Sequence, residues 1–176
     1  MNVRGIHHLG IVVPDLDVAV AFYSGMFGLE KVYDESWEKG DATYDQGIGL
    51  SGSAARGVQL RSTNTYLELW EYSAPRQEGP DPGSLGANEL GFRHLAVEVD
   101  DVEAAWEKLK ELGGHVMNDP VRFDDGGAAV YARDPFGNII EFTTAGGFPP
   151  AIADLGEPNQ VSTNARTGYR TVSPSP

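Results

Sequence analysis

The sequence predicts an α+β protein built from two tandem βαβββ modules, on three observations. "HHLGIVVPDLD" at residues 7–17 is echoed by "RHLAVEVDDVE" at 93–103, each with a histidine opening an apolar run that ends in acid. A single offset of 86 residues pairs His8 with His94, Asp15 with Asp101 and Gly28 with Gly114, so strand, turn and helix length repeat together. A further echo sets one glutamate into the middle of an apolar strand in each half, Glu68 in "YLELWEY" and Glu141 in "NIIEFTT".

The first module is expected over residues 5–72. Ile6 to Val13 reads as a mostly buried strand closed by Pro14-Asp15. Asp15 can cap a helix with the apolar stripe Leu16, Ala19, Val20, Tyr23 and Phe27, stopped by Gly28. Leu29 to Trp37 suits a strand. The polar, Gly-rich stretch from Glu38 to Ala55 predicts a strand with a long loop. Val58–Arg61 and Thr65–Tyr72 read as two more strands across a turn at Ser62–Asn64.

Residues 73–90 carry three prolines and three glycines and are expected to link the halves. The second module, 91–145, repeats the order. Phe92–Val99 is a strand, and Asp101 caps a helix with Val102, Ala105, Trp106, Leu109 and Leu112 on one face. Gly113-Gly114 ends it. Short strands are expected at His115–Met117, Ala128–Arg133 and Ile139–Thr144, with "DPFGN" (134–138) as a hairpin turn. From residue 146 to 176 the chain holds five of its eleven prolines and no periodicity, which predicts a tail, either disordered or draped over a partner subunit.

Composition narrows the function. A formal net charge of −13 makes nucleic acid and anionic membrane surfaces poor partners, because phosphate binding needs clustered Lys and Arg. The absence of cysteine excludes thiol catalysis, Cys-zinc sites and disulfides. No apolar run approaches the roughly 20 residues of a membrane span, and "MNVRGIHHL" lacks the apolar core of a signal peptide. A cytoplasmic setting is the default expectation.

A histidine at a strand end is usually a structural hydrogen-bonding residue, but a glutamate inside an apolar strand is harder to explain. Burying a carboxylate without a partner costs several kcal/mol. In "YLELWEY", Glu68 and Glu71 fall on opposite faces, so one can meet solvent while the other points inward. Glu141 has bulky apolar neighbours on either face. Four such residues at matching places in two repeats point to a shared metal site.

These motifs, with "HHLGIVVPDLDVAVAFY", "FRHLAVEVDD" and "DPFGNIIEF", resemble the vicinal oxygen chelate superfamily, the glyoxalase/bleomycin-resistance/dioxygenase fold, over residues 5–145. The resemblance implies a curved mixed sheet around a central metal site, with His8, Glu68, His94 and Glu141 as ligands. His7 falls outside the set and is expected to face the other way. An N2O2 set of two imidazoles and two carboxylates suits one divalent ion, whether Zn, Ni, Co, Mn or Fe(II). Open positions on such an ion would chelate a small-molecule substrate with adjacent oxygens. A homodimer is expected in this superfamily, whose modules pair within a chain or across an interface.

The reaction expected is proton transfer beside a chelated carbonyl, as in an isomerase, epimerase or glyoxalase-like lyase, with Glu141 and Glu68 as the bases. An extradiol-type ring-cleaving dioxygenase is the main alternative. Its iron has two His and one Glu, so Glu68 would have to leave, and only His115 and Tyr131 offer supporting groups. A non-catalytic drug-binding resistance protein is the third reading, although such proteins commonly lack the full ligand set. Aromatics such as Trp37, Tyr44, Trp70 and Phe136 could line a pocket for it, with core packing the commoner role. Within the proton-transfer group, Val12 and Tyr72 stand where glutathione-dependent glyoxalases carry arginine and asparagine. Residues 40–67 lack the additional glutamate of methylmalonyl-CoA epimerases, a place Asp41 or Asp45 could fill. The stretch between ligands is 13 residues longer in the first half, within or beside residues 38–57, and that insertion is where substrate selection is expected.

Overall fold

The computed structural model describes residues 5–145 and 151–154. They form an α+β architecture with two mixed sheets and three helices, divided between two compact units. One unit comprises Ile6–Leu85 with Pro135–Gly137, and the other takes Gly86–Asp134 and the described residues from Asn138 onward.

In the first unit, β1 (His8–Val12) leads into α1 (Leu16–Phe27), followed by β2 (Glu30–Trp37), α2 (Ala42–Ile48), β3 (Ala54–Arg61) and β4 (Tyr66–Ala74). The sheet order is β1-β4-β3-β2, with β1 parallel to β4 and the other pairs antiparallel. Asp15 starts α1 from extended backbone, its carboxylate accepting the Val18 N–H at 3.0 Å. Gly28 ends it at φ 66°, where a side chain would be strained. The buried stripe is Leu16, Ala19, Phe22, Tyr23 and Met26, so the helix is rotated slightly from the expected face and Val20 and Phe27 are only half-buried. Leu67 and Leu69 of β4 are buried beneath it, while Tyr66, Glu68, Trp70 and Tyr72 take the opposite face.

The stretch expected to be strand and long loop contains α2 instead. Asp41 accepts the Thr43 and Tyr44 N–H groups, and Gly49 closes the helix at φ 71°. This helix buries no residue fully, so it leaves no apolar period to read. Strand β3 also starts at Ala54, four residues before the expected Val58.

In the second unit, β5 (His94–Glu98) precedes α3 (Val102–Glu111), then β6 (His115–Val116), β7 (Val121–Arg122), β8 (Ala128–Arg133) and β9 (Ile139–Thr143). The order is β5-β9-β8-β6, β7 also pairs with β8, and β5 runs parallel to β9. Strand β7, two residues long, is too short to show a pattern in the sequence. Asp101 repeats the cap of Asp15, accepting the Ala104 N–H at 3.0 Å. The glycines after α3 divide their work. Gly113 takes the positive φ of 84°, whereas a Cβ on Gly114 would lie 2.6 Å from Leu109 and 2.9 Å from the Arg133 carbonyl.

Of the expected tail, residues 146–150 and 155–176 lie outside the described residues. Ile152–Asp154 form a 3-10 turn, tied down by the Ile152 N–H donating to Glu98 at 2.7 Å. Among the described residues no helix is long and apolar enough to cross a membrane.

Candidate functional site

The sheet of each unit presents one His–Glu pair. In the first, His8 opens β1 and Glu68 lies in the adjacent β4, with His8 Nε2 3.5 Å from Glu68 Oε2. In the second, His94 opens β5 and Glu141 lies in β9, with Nε2 3.2 Å from Oε2. The residue opposite each glutamate across the parallel ladder is small, Gly10 for Glu68 and Ala96 for Glu141. A Cβ on Gly10 would already touch the Glu68 carboxylate at 3.7 Å, so a small residue leaves the acid room to lean toward its histidine.

Burial repeats as well. The histidine side chains are both 38% exposed, against 19% for Glu68 and 16% for Glu141, so each carboxylate is withdrawn behind a more accessible imidazole. Among the described residues no third His, Asp or Glu side chain joins either pair. Each is a pair of two donors.

What supports the two acids differs. Gln59, beside Glu68 on β3, donates its amide Nε2–H to Oε1 at 3.2 Å. The matching neighbour of Glu141 is Tyr131 on β8. Its phenol feels the Glu141 charge, and its ring meets His94 edge-on at 5.2 Å. Burial, then the Glu141 charge, push the Tyr131 phenol up. Tyr72 is likewise raised, by burial first and then by Glu68. Tyr131 therefore stands beside the His94–Glu141 pair, not merely in the core, whereas His115 is an exposed strand start opposite Arg133. Gln59 is a site residue the sequence reading missed. Its only signal was one amide between Val58 and Leu60.

Three expectations need correction. His7 does not face away: it precedes the strand, so alternation does not govern it, and its Nδ1 lies 2.8 Å from His8 Nδ1. Asp41 is the helix cap already described. Asp45 accepts from the Ser53 hydroxyl at 2.5 Å and from the Ser53 and Gly52 N–H groups, so it closes a loop and is no spare base. Those bonds, the Ser53 hydroxyl first, hold its carboxyl below the usual range.

The donor set fits a divalent cation. Two donor atoms each about 2.1 Å from one ion stand about 3 Å apart at a right angle, close to the spacing within each pair. Apart from its histidine, each acid's nearby partners are neutral donors, Gln59 or Tyr131, so a bound cation would supply the charge the carboxylates lack.

Comparison with known proteins agrees with this architecture. Residues 5–142 match the Glyoxalase/Bleomycin resistance protein/Dioxygenase superfamily, and the chain belongs to that family. It is 36% identical over 143 residues to a 2-epi-5-epi-valiolone epimerase from Actinomyces sp., covering 77% of this chain and 76% of that protein. It is 26% identical to human mitochondrial methylmalonyl-CoA epimerase, over 82% of this chain and 76% of the other. A probable lactoylglutathione lyase from Synechocystis is 28% identical, over 76% of this chain and 90% of the other. The fold is shared with a glyoxalase family protein from Bacillus cereus at 18% identity, covering 82% and 95% of the two chains with a TM-score of 0.75. It is shared too with the fosfomycin resistance protein FosX from Listeria monocytogenes, solved with Mn(II) and sulfate, at 20% identity, 82% and 94% coverage and a TM-score of 0.53.

Proposed function

We propose that the chain is a divalent-metal-dependent epimerase or lyase that moves a proton on the carbon next to a chelated carbonyl. The repeated His–Glu pair carries this reading: His8 with Glu68 and His94 with Glu141 would together supply the N2O2 donors of one ion, of Zn, Ni, Co, Mn or Fe(II) type. The named relatives, two epimerases and a lyase, support the reaction class.

A bound ion polarises a carbonyl and stabilises the negative charge that develops when its α-proton leaves. The chain's own residues do the rest. Glu141 and Glu68 take up and return the proton. The Gln59 amide holds Oε1 of Glu68 and leaves Oε2 turned toward His8. The Tyr131 phenol, protonated at neutral pH, stands beside Glu141 across the β8–β9 ladder and packs edge-on against His94. One acid thus has an amide at its side and the other a phenol.

The test is elemental analysis of purified protein with anaerobic solvent-exchange assays on carbonyl compounds. About one ion per chain and deuterium uptake at the α-carbon are expected. Glu141→Gln should cut turnover by at least about a hundredfold, with the far-UV dichroism unchanged. Oxygen consumption with catechols would replace this reading with ring cleavage. Tight ligand binding by metal-free protein without turnover would replace it with sequestration.

A further inference from the structure

His7 and His8 stand side by side where β1 opens, and their rings meet edge-on. His7 Nδ1 lies 2.8 Å from His8 Nδ1, so one of these nitrogens donates a proton and the other accepts it. The other nitrogen of the His8 ring, Nε2, faces Glu68 Oε2 at 3.5 Å. A neutral imidazole has one N–H and one lone pair, so what Nδ1 does decides what Nε2 presents. The distances separate the two arrangements. Were the His8 proton on Nε2, it would face an ionised carboxylate, a bond that ordinarily closes to about 2.8 Å. At 3.5 Å that bond is not closed, and the short contact lies on the other side of the ring. With its proton on Nδ1, His8 donates to His7 and turns the Nε2 lone pair toward Glu68.

His7 is itself held in place for this contact. Its carbonyl accepts the Tyr66 N–H at 3.1 Å and the Thr65 hydroxyl at 3.0 Å. Its ring packs against the Tyr66 ring, with centroids 5.2 Å apart. Glu68 follows Tyr66 by two residues on the same strand, its Oε1 already taken by Gln59. Both members of the first pair are thus oriented by a neighbour. The second pair is built differently. The counterpart of His7, 86 residues on, is Arg93, and a guanidinium has no lone pair with which to accept a proton. Among the described residues, the His94 ring meets Glu141 and the edge of Tyr131.

We infer that His7 is a positioning residue: its Nδ1 accepts the His8 Nδ1–H and so keeps the His8 Nε2 lone pair ready for the divalent ion. It acts through His8. The tautomer a metal requires is set before the ion arrives, and a partner of this kind is worth about 10- to 100-fold in metal affinity. The doubled histidine at the start of the first repeat is then a ligand with its holder, not a ligand with a spare. This role rests on the metal-dependent reading above.

The test has two readouts, neither of them activity. Nitrogen-15 NMR of the metal-free full chain at about pH 8, where ordinary imidazoles are neutral, reads which His8 nitrogen carries the proton. The His8 signals are assigned by their loss in His8→Gln. Calorimetric titration with Zn(II) and with Mn(II) reads the affinity. Wild-type His8 is expected to be protonated at Nδ1 and bare at Nε2. His7→Phe keeps a ring against Tyr66 but removes the acceptor. It should move the His8 proton toward Nε2 and weaken metal binding about 10- to 100-fold. His7→Asn, whose Oδ1 stands where Nδ1 stood and can accept, should restore the wild-type tautomer and most of the affinity. The inference is overturned if wild-type His8 carries its proton on Nε2, or if His7→Phe binds metal as the wild type does. It is overturned too if His7→Asn binds as weakly as His7→Phe. The wild-type spectrum needs no variant, so the test survives a variant that misfolds. Wild-type protein that takes up neither ion overturns the metal-dependent reading and this role with it, whatever the spectrum shows.

Discussion

Glu68 and Glu71 are the same side chain three residues apart on one strand, yet they belong to different chemistries. Glu71 points to the helix face, where it accepts the Leu16 N–H at 2.8 Å and pairs with Arg56. Both partners, and the N-terminus of α1, bring positive charge or N–H dipoles to it. Glu68 has a histidine and an amide. Glu71→Gln is therefore expected to cost about 1 kcal/mol of unfolding free energy with metal content unchanged, whereas Glu68→Gln should lose metal at little cost to the metal-free fold. Urea titration beside elemental analysis separates the two. Asp45 gives a pH signature. Its folded carboxyl is held low, so its contribution to stability is complete above the ordinary carboxylate pKa of about 4 and is lost as pH falls through the folded value. The stability difference between wild type and Asp45→Asn should shrink over that acid range, and denaturant midpoints at stepped pH measure it.

Helices α1 and α3 begin in the same way, and their caps were readable because Asp15 and Asp101 each stand immediately before an apolar 3.6-residue period. Replacing either by Ala should cost about 1 kcal/mol, and the double variant should lose the sum. The glycines after the helices repeat in sequence but not in cause. Gly28→Ala meets open space and suffers only from its positive φ, at about 1 kcal/mol. Gly114→Ala drives a methyl into Leu109 and the Arg133 carbonyl, and should cost about 1–3 kcal/mol. Thermal unfolding ranks them. This difference was invisible in the sequence, because crowding at Gly114 depends on β8 passing beside α3. Gln59 was missed for the same reason: its role follows from the register that puts it opposite Glu68. The two glutamates stood out because each interrupts an apolar run, which is a local signal. Helix α2 gave no such signal, having no buried face, and only its Asp41 and Gly49 ends were there to be read.

The repeat makes a prediction for the molecule as a whole. If both His–Glu pairs serve one ion, Glu68→Gln and Glu141→Gln should each abolish stabilisation by metal, and combining them should add little. Holoprotein at an ion concentration a hundredfold above Kd should gain about 2.7 kcal/mol over chelated protein, read as a shift in the unfolding midpoint. The two units share β–α starts and diverge most in the stretch between β2 and β3. That divergent segment is stitched largely to itself: Asp41 caps its helix, and Asp45 reaches forward to clasp Gly52 and Ser53. Asp45 thereby ties the helix to the segment's own later end, and the ladder between β2 and β3 closes the segment at Trp37 and Ala55. Such a segment behaves as a cassette. It could be lengthened, shortened or exchanged without shifting the register that carries Glu68, so substrate preference could change while the His8–Glu68 pair is inherited intact.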